Sequence, residues 1–289
     1  MQIARDKELF PKKVTKTELA ASLGVSRSSL YYHAKRPALD LEIKSQIETV
    51  MIDNPSYGHK RVAMELKLNK KRIRRVMKLF NLKPYRRRVR KPTKKDDLNK
   101  PPTKYLNLIK HFCPIRPNVV WVADFTYIEF QGRFIYLATV MDLYTREIIG
   151  WNISRFHNKE LVIGALLNAL ANSNSPPIYI HSDQGSEYDS NDYTKLCGSN
   201  HIQVSMSRKA TPGENAFQES FYSTFKVDMG RADRFDTFGE LTEALHLQIH
   251  KYNNRRIHTK LKMSPRQFRE QYILREEKVC TNMSKEMGT

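Results

Sequence analysis

Three acidic side chains stand at positions where carboxylates could do chemistry. Asp124 lies in the middle of an otherwise apolar run, 119–128, and Asp183 stands at the end of a second apolar run. Glu219 lies in an amphipathic stretch, 214–229. Burying a lone carboxylate costs several kcal/mol unless it is neutralised, paired or bound to a cation. The positions of these acids therefore predict a ligand site.

The chemistry that fits three carboxylates is the binding of hard divalent cations. No cluster of His and Cys accompanies Asp124, Asp183 and Glu219 in the sequence, so Mg²⁺ or Mn²⁺ fits better than zinc. Two such ions about 3.5–4 Å apart stabilise the attacking and leaving oxygens of an in-line phosphoryl displacement. Each acid also has an ordinary alternative, because Asp124 could pair with a buried arginine. Asp183 could be a turn residue, and Glu219 a surface acid of a helix.

The helix predicted over 214–229 sets polar groups opposite an apolar stripe. At about 100° per residue, three phenylalanines lie within about 80° of one another and predict the buried face, namely Phe217, Phe221 and Phe225. A carboxylate, an amide and an amine lie about 160–200° away from Phe217, namely Glu219, Asn215 and Lys226. This polar stripe could aim at a site on a sheet.

The elements that must position the acids form a mixed α/β pattern. Apolar runs predict a three-strand meander over 119–128, 134–141 and 148–153, with a turn at Gln131-Gly132. Alternating helices and short strands follow, over 158–172, 178–181, 191–198, 202–206 and 214–229. The order βββαβαβα is typical of a mixed α/β sheet domain, which we assign, with further C-terminal helices, to 118–275.

The excess positive charge of the chain lies in its first 118 residues. The 289 residues carry 50 Lys and Arg against 30 Asp and Glu, a formal net charge of +20. The remainder, 119–289, carries 20 of each sign. This asymmetry indicates a polyanion-binding part joined to an electrically ordinary domain. The densest basic run contains the candidate DNA contacts Arg86, Arg87, Arg88 and Arg90; a solvated linker with no defined partner is the alternative.

Two all-α units are predicted within the basic part. The first, 1–36, contains a helix-turn-helix pattern in which Gly24 allows the turn and Ser26 caps the second helix. That second helix presents the candidate DNA contacts Arg27, Ser28 and Tyr31; plain helix packing is the alternative. The second unit, 37–91, contains a basic helix capped by Asn69. Its candidate DNA contacts are Lys70, Lys71, Arg74 and Arg75.

The remaining segments and the composition narrow the class of protein. The segment 92–117 is predicted to be a linker and 276–289 a polar, loosely ordered tail. No apolar run approaches the roughly 18 residues of a membrane span, and the N-terminus lacks an apolar signal region. Three separated cysteines form no C-x-x-C pair, which rules out a disulfide framework. We therefore expect a cytoplasmic, nucleoid-associated protein without a membrane partner.

The spacing of the acids and several short strings resemble a known family. Asp183 and Glu219 are separated by 35 residues, the D-D-35-E spacing of retroviral integrases and many bacterial transposases. The strings at 121–128, 181–188 and 215–221 agree with that spacing, and those at 252–258 and 264–265 fit as well. Over about 40–275 the sequence resembles the second-frame transposase subunit (OrfB) of bacterial insertion sequences of the IS-three type, which has a DDE integrase core.

The resemblance implies a ribonuclease H-like integrase core and a reaction. Asp124 would bridge two Mg²⁺ or Mn²⁺ ions in each active site, while Asp183 and Glu219 would each hold one. Water and then a freed DNA 3′-hydroxyl would be the successive nucleophiles, first cutting at the element end and then joining strands. Lys226 and Asn215 would touch DNA near the site. His181 and Gln184 would support it.

The resemblance also implies partners. These are double-stranded DNA (the terminal inverted repeats of the element and the target DNA), further copies of the chain on that DNA, and an upstream-frame subunit or fusion. The sequence departs from the retroviral pattern because it lacks the HHCC zinc module. Two alternative functions share the same motifs: a ribonuclease H-like nuclease or resolvase that cuts without joining, and a DNA-binding regulator with an inactive core.

Overall fold

A computed structural model describes residues 15–31, 36–86, 105–110, 112–207 and 216–286. Four candidate DNA contacts lie outside these ranges, namely Arg87, Arg88, Arg90 and Asn215. No helix within the described ranges is long and apolar enough to cross a membrane.

The first helices enclose the predicted turn. α1 (Lys16–Ser22) begins with a capping box, in which Thr15 and Glu18 each accept a hydrogen bond from the backbone amide of the other. Gly24 follows with φ +64°, a conformation that glycine adopts without strain. The next element is a five-residue 3-10 helix (Arg27–Tyr31), shorter and tighter than the expected helix. The Ser26 hydroxyl lies 2.8 Å from the hydroxyls of Ser28 and Ser29, and such local bonds compete with helix formation.

Three further helices form what we call the helical unit, residues 36–86. They are α2 (Arg36–Asp53), α3 (His59–Glu65) and α4 (Lys70–Leu79). Their apolar sides meet in a core that contains Ile47, Tyr57, Ile73 and Val76. Asn69 caps α4 as predicted, since its side chain accepts from the Lys71 amide at 2.8 Å.

A five-stranded sheet forms the centre of the second domain. Its strands are β1 (Val120–Phe130), β2 (Arg133–Asp142), β3 (Ile148–Ser154), β4 (Tyr179–Ser182) and β5 (Gln203–Met206). The strand order is β3-β2-β1-β4-β5, with β1, β2 and β3 antiparallel and β4 and β5 parallel to β1. Gln131 and Gly132 both have positive φ, as the tight hairpin between β1 and β2 requires.

Five helices accompany the sheet. They are α5 (Lys159–Asn172), α6 (Asn191–Ser199), α7 (Ala216–Met229), α8 (Phe238–Asn254) and α9 (Pro265–Glu286). α5 and α6 cover one face, where Leu161 and Leu166 pack with Trp121. α7 and α8 cover the other face, where Phe221 and Leu245 pack with Leu137. The observed order confirms the predicted βββαβαβα pattern.

Two predicted boundaries differ from the structure. α9 continues to Glu286, so the expected tail is helical from 276 to 286 and its placement at 276 is wrong. The end of the predicted linker also belongs to the core, because the Leu108 amide donates to Ser205 Oγ at 2.9 Å and Ile109 packs beside Val119 and Val120. At both places a polar or proline-rich sequence predicts irregular chain, but the segment forms ordered structure.

Candidate active site

Asp124 on β1 and Asp183, the residue after β4, lie near the same end of two paired strands. β1 and β4 run parallel, and their last paired row joins Val122 to His181. Asp124 and Asp183 each stand two residues beyond that row, so continuing the register places them side by side on one face. Neighbouring strands are about 4.8 Å apart. Both side chains are half-buried. The parallel pairing of β1 and β4 thus puts two of the three predicted acids near the same end of the sheet, where the charges of both act on Tyr222.

A tight turn after β4 holds the Asp183 carboxylate. Asp183 Oδ1 accepts a hydrogen bond of 3.0 Å from the Gly185 amide, so this acid is also a turn residue. A Cβ at Gly185 would lie 3.0 Å from Asp183 Oδ1 and 2.8 Å from Glu187 Oε2. A Cβ there would require at least one of the two carboxylates to shift. Glu187 is buried, and its Oε1 lies 3.3 Å from His157 Nε2.

The two residues that the resemblance assigned a supporting role fix the same end of the sheet. His181 is fully buried, and its Nδ1 lies 2.9 Å from Ser205 Oγ on β5. Gln184 Nε2 donates to the Ser207 carbonyl at 3.0 Å. These bonds tie the segment on both sides of Asp183 to β5 and the residue after it.

Two buried polar side chains fasten α7 to β1 beside Asp124. The Tyr222 hydroxyl donates to the Asp124 carbonyl at 2.7 Å and lies 2.7 Å from Thr139 Oγ1. Gln218 Nε2 donates to the Val122 carbonyl at 2.7 Å. Burial raises the pKa of Tyr222 well above its usual value, and the charges of Asp124 and Asp183 raise it further. Tyr222 therefore stays protonated and can donate at neutral pH.

Glu219 does not join the other two acids. It lies beside Gln218 on the first turn of α7, with its side chain exposed. Among the residues that the structure describes, no three His, Cys, Asp or Glu side chains are gathered closely enough to hold a metal ion. Helix geometry puts Glu219 about 60° around α7 from Tyr222. Glu219 thus lies beside the sheet-facing side of the helix.

The predicted apolar stripe of α7 is wrong at its first position. Phe217 is 45% exposed, and the Arg146 guanidinium lies 3.8 Å from the centre of its ring. The face that is buried instead includes Gln218, Phe221, Tyr222, Phe225 and Met229. Hydrogen bonds to Val122 and Thr139 offset the cost of burying the Gln218 amide.

Known proteins resemble both halves of this domain and most of the chain. The family described as "Integrase core domain" matches residues 114–212, and a second family of the same description matches 219–273. The transposase for insertion sequence element IS904 from Lactococcus lactis subsp. lactis is 35% identical over 207 residues, which are 69% of this chain and 80% of that protein. The chain belongs to the insertion-sequence transposases.

Other relatives of this transposase cover more of its length. The InsK protein of insertion sequence element IS150 from Escherichia coli is 32% identical over 266 residues, 88% of this chain and 93% of that protein. A 31 kDa protein of insertion element IS600 from Shigella sonnei is 35% identical over 264 residues, 86% and 96% of the two chains. The HTLV-2 integrase catalytic core domain in complex with magnesium matches with a TM-score of 0.42 and 17% identity, over 54% of this chain and 99% of that one. The two integrase core matches and the transposase relatives confirm the predicted family and its integrase core.

The predicted DNA contacts of the transposase are mostly exposed where the structure describes them. Exposed side chains are those of Arg27, Ser28, Tyr31, Lys70, Lys71, Arg74 and Arg86. Arg75 is exposed as well, but its Nη1 donates to the buried carboxylate of Asp40 at 2.7 Å and so fastens α4 to α2. Lys226 is half-buried, with Nζ 4.6 Å from the ring centre of Tyr127.

Sequence reasoning missed four polar residues around the acids of the transposase. Gln218 and Tyr222 hold α7, and Glu187 and His157 flank the turn at Gly185. For the first two a signal existed, because 218, 221, 222 and 225 follow the i, i+3, i+4, i+7 spacing of a buried helix face. His157 and Glu187 are 30 residues apart and gave no such signal.

Proposed function

We propose that this transposase cuts DNA at the ends of its insertion sequence and joins the freed 3′-hydroxyl to target DNA. Asp124, Asp183 and Glu219 would hold two Mg²⁺ or Mn²⁺ ions. The observation that carries the proposal is the position of Asp124 and Asp183, each two residues beyond the last paired row of β1 and β4, at the carboxyl end of β4, where open α/β sheets bind ligands. The transposase relatives support the reaction class.

The donor chemistry of the site fits a hard cation. Asp124 and Asp183 offer carboxylate oxygens, which suit Mg²⁺ or Mn²⁺, whereas zinc would favour His or Cys ligands. Asp183 forms no ion pair with a residue in the described ranges. Glu219 completes the set in this proposal, as the only acid on the first turn of α7. When bound, two divalent ions would stabilise the charges of an in-line phosphoryl displacement.

The protein's own contribution is positioning. Tyr222 and Gln218 hold α7 against β1, which keeps the helix that carries Glu219 beside the Asp124 row. Gly185 and Gln184 hold the turn that carries Asp183. Lys226 lies on the same side of α7 as Glu219, two turns further on, and offers a cation to a DNA phosphate near the site.

DNA would be bound by the basic part of the chain as well. In the helical unit, exposed cations on α4 and after it would contact the phosphate backbone, namely Lys70, Lys71, Arg74 and Arg86. The exposed Arg27, Ser28 and Tyr31 would contact DNA from the first unit. Because two element ends must be brought together, we include a homo-oligomer on DNA in the proposal.

Strand-transfer assays with an oligonucleotide duplex ending in the terminal repeat test the three acids. Each of Asp124→Asn, Asp183→Asn and Glu219→Gln should lower both cutting and joining at least about a hundredfold in Mg²⁺, because each removes a charge that holds the ions. DNA binding, measured by gel shift, should remain. Asp189→Asn, an exposed acid near the same turn, is the matched control and should retain activity.

The products distinguish the alternatives. Joined products from the unaltered protein support transposition, whereas cutting without joining would favour a nuclease. Binding without either reaction would favour an inactive regulator. Full activity in the Glu219→Gln variant would remove this residue from the ligand set.

A further inference from the structure

A small cavity lies where the helical unit meets the integrase core. Its volume is about 50 Å³, and its walls come from α3, α7, the turn between β2 and β3, and the segment after α8. By the measure of about 10–15 Å³ for each water, it is large enough for a group of several heavy atoms. The charged residues of its lining are all basic. They are Arg61, Arg146 and Arg256, with His258 beside them, and no acid lines the cavity.

The positive charge of this cavity is only partly balanced. Arg256 forms a buried ion pair with Asp228 and donates to Ser56 Oγ at 2.8 Å. Arg61 and Arg146 form no ion pair with any residue in the described ranges. His258 adds no charge at neutral pH, because burial and then its cationic neighbours lower its pKa to about 4. Two guanidinium groups are therefore left without an ion-pair partner in a largely buried place.

Buried donors in this cavity also lack acceptors. Arg146 is only 7% exposed, and its Nη1 is buried without a hydrogen-bond partner. Arg61 Nε is likewise buried without one, and so is His258 Nδ1, which donates in one of the two neutral tautomers. One face of the Arg146 guanidinium is covered by the Phe217 ring, so its remaining edge lines the cavity. Leaving buried donors unpaired is costly, and natural proteins keep such groups where a ligand supplies the acceptors.

The ligand that these groups fit is a phosphate. Guanidinium groups bind phosphate oxygens through paired, charge-assisted hydrogen bonds, and an anion would balance the two free charges. Two hydroxyls, those of Ser220 and Thr224, line the same cavity. Ser220 directly follows Glu219 on α7. A phosphate held here would therefore lie beside the helix that carries the third acid.

We infer that this cavity is a phosphate-binding site that takes one backbone phosphate of the DNA. The assignment to DNA rests on the proposed function, whereas the site itself does not. It would seat the DNA strand at the junction between the helical unit and the core, which explains why α3 and the core contribute cations to one cavity. A free phosphate has the same chemistry, and the experiment separates the two sources.

The first arm measures thermal unfolding of the full chain in sodium phosphate and in sodium chloride of equal ionic strength. Phosphate should raise the unfolding temperature of the unaltered protein, since a ligand that binds only the folded state stabilises it. Arg61→Gln and Arg146→Gln should weaken apparent phosphate affinity at least about tenfold. In chloride both variants should be no less stable than the unaltered protein, because each relieves repulsion between buried cations. Lys60→Gln, an exposed neighbour on α3, is the control of equal charge.

The second arm measures the affinity for duplex DNA as a function of salt. Arg61→Gln should reduce the slope of log affinity against log salt by about 1, as the loss of one phosphate contact does. Lys60→Gln should change the slope by less. An equal response to phosphate in Arg61→Gln, Arg146→Gln and Lys60→Gln would overturn the site. A phosphate response that depends on Arg61, with an unchanged DNA slope, would overturn the DNA assignment. In neither case would the result depend on whether strand transfer occurs.

Discussion

At the scale of single residues, burial and several neighbouring cations lower the pKa of the His258 imidazole. Burial, followed by the charges of Arg146, Arg61, Arg256 and Lys260, lowers its pKa from 6.5 to about 4. The unfolded chain therefore binds a proton at this side chain below about pH 6.5, whereas the folded protein binds it only below about pH 4. The free energy of unfolding should consequently decrease as the pH falls from about 6.5 to about 4.

This pH dependence can be assigned to one residue by substitution. His258→Gln keeps a neutral polar side chain, so it should reduce the loss of stability between pH 7 and pH 5 measured by urea unfolding. His250→Gln, at an exposed position on α8, should leave that loss unchanged. If His258→Gln and the unaltered protein lose the same stability over this range, His258 is not the group that titrates.

At the scale of elements, the packing of α5 on β3 depends on Gly150. A Cβ at this position would lie 2.4 Å from the Ala165 carbonyl oxygen and 2.5 Å from Ala169 Cβ, which is closer than real contacts allow. Gly150→Ala should therefore push α5 off the sheet and lower the free energy of unfolding by about 1–3 kcal/mol, measured in urea. Gly198→Ala in α6 is the matched control, because a Cβ there meets nothing within 4 Å. The control should raise stability by up to about 1 kcal/mol. Equal effects of the two substitutions would contradict the close approach.

The elements of the core could be predicted because their signals are local. Apolar runs bounded by turn residues identified every strand of the sheet, and the Gln131-Gly132 turn adopts the positive φ values that such a hairpin needs. The sequence also indicated that Asp124 and Asp183 belong to neighbouring apolar segments of the sheet, Asp124 within one strand and Asp183 just after another. Composition alone does not predict the end of α9, because the polar sequence after 276 still forms a helix to Glu286.

The orientation of α7 could not be predicted from hydrophobicity. The burial of Gln218 depends on the carbonyl of Val122, which lies 96 residues away in the sequence. Phe217 is 45% exposed, and its ring lies against the Arg146 guanidinium from the turn between β2 and β3. Such long-range polar contacts decide which of two neighbouring helix positions faces the sheet. The placement of Glu219, one residue further along, follows from them.

At the scale of the whole molecule, polar contacts fasten the helical unit to the core. Asp228 on α7 accepts from the Ser56 amide at 3.1 Å and pairs with Arg256, and both charged side chains are at most 5% exposed. The Ile257 amide donates to the Tyr57 hydroxyl at 2.7 Å. The first of these bonds joins the helical unit to the helix that carries Glu219, and the last joins it to the segment after α8. In the proposed reaction these bonds would hold DNA that is bound by the helical unit at a fixed position relative to the acids of the core.

The Asp228–Arg256 pair should therefore control the docking of the helical unit. Asp228→Ala leaves Arg256 buried without its carboxylate and the Ser56 amide without its acceptor, a loss of about 3–5 kcal/mol. Amide hydrogen exchange should then rise in α3 (His59–Glu65), whereas β1 (Val120–Phe130) should keep its protection because its bonds lie within the sheet. Asp233→Ala removes an exposed pair with Arg231 and should cost less than about 1 kcal/mol. If α3 exchanges no faster in Asp228→Ala than in Asp233→Ala, the unit is held to the core by its apolar contacts instead.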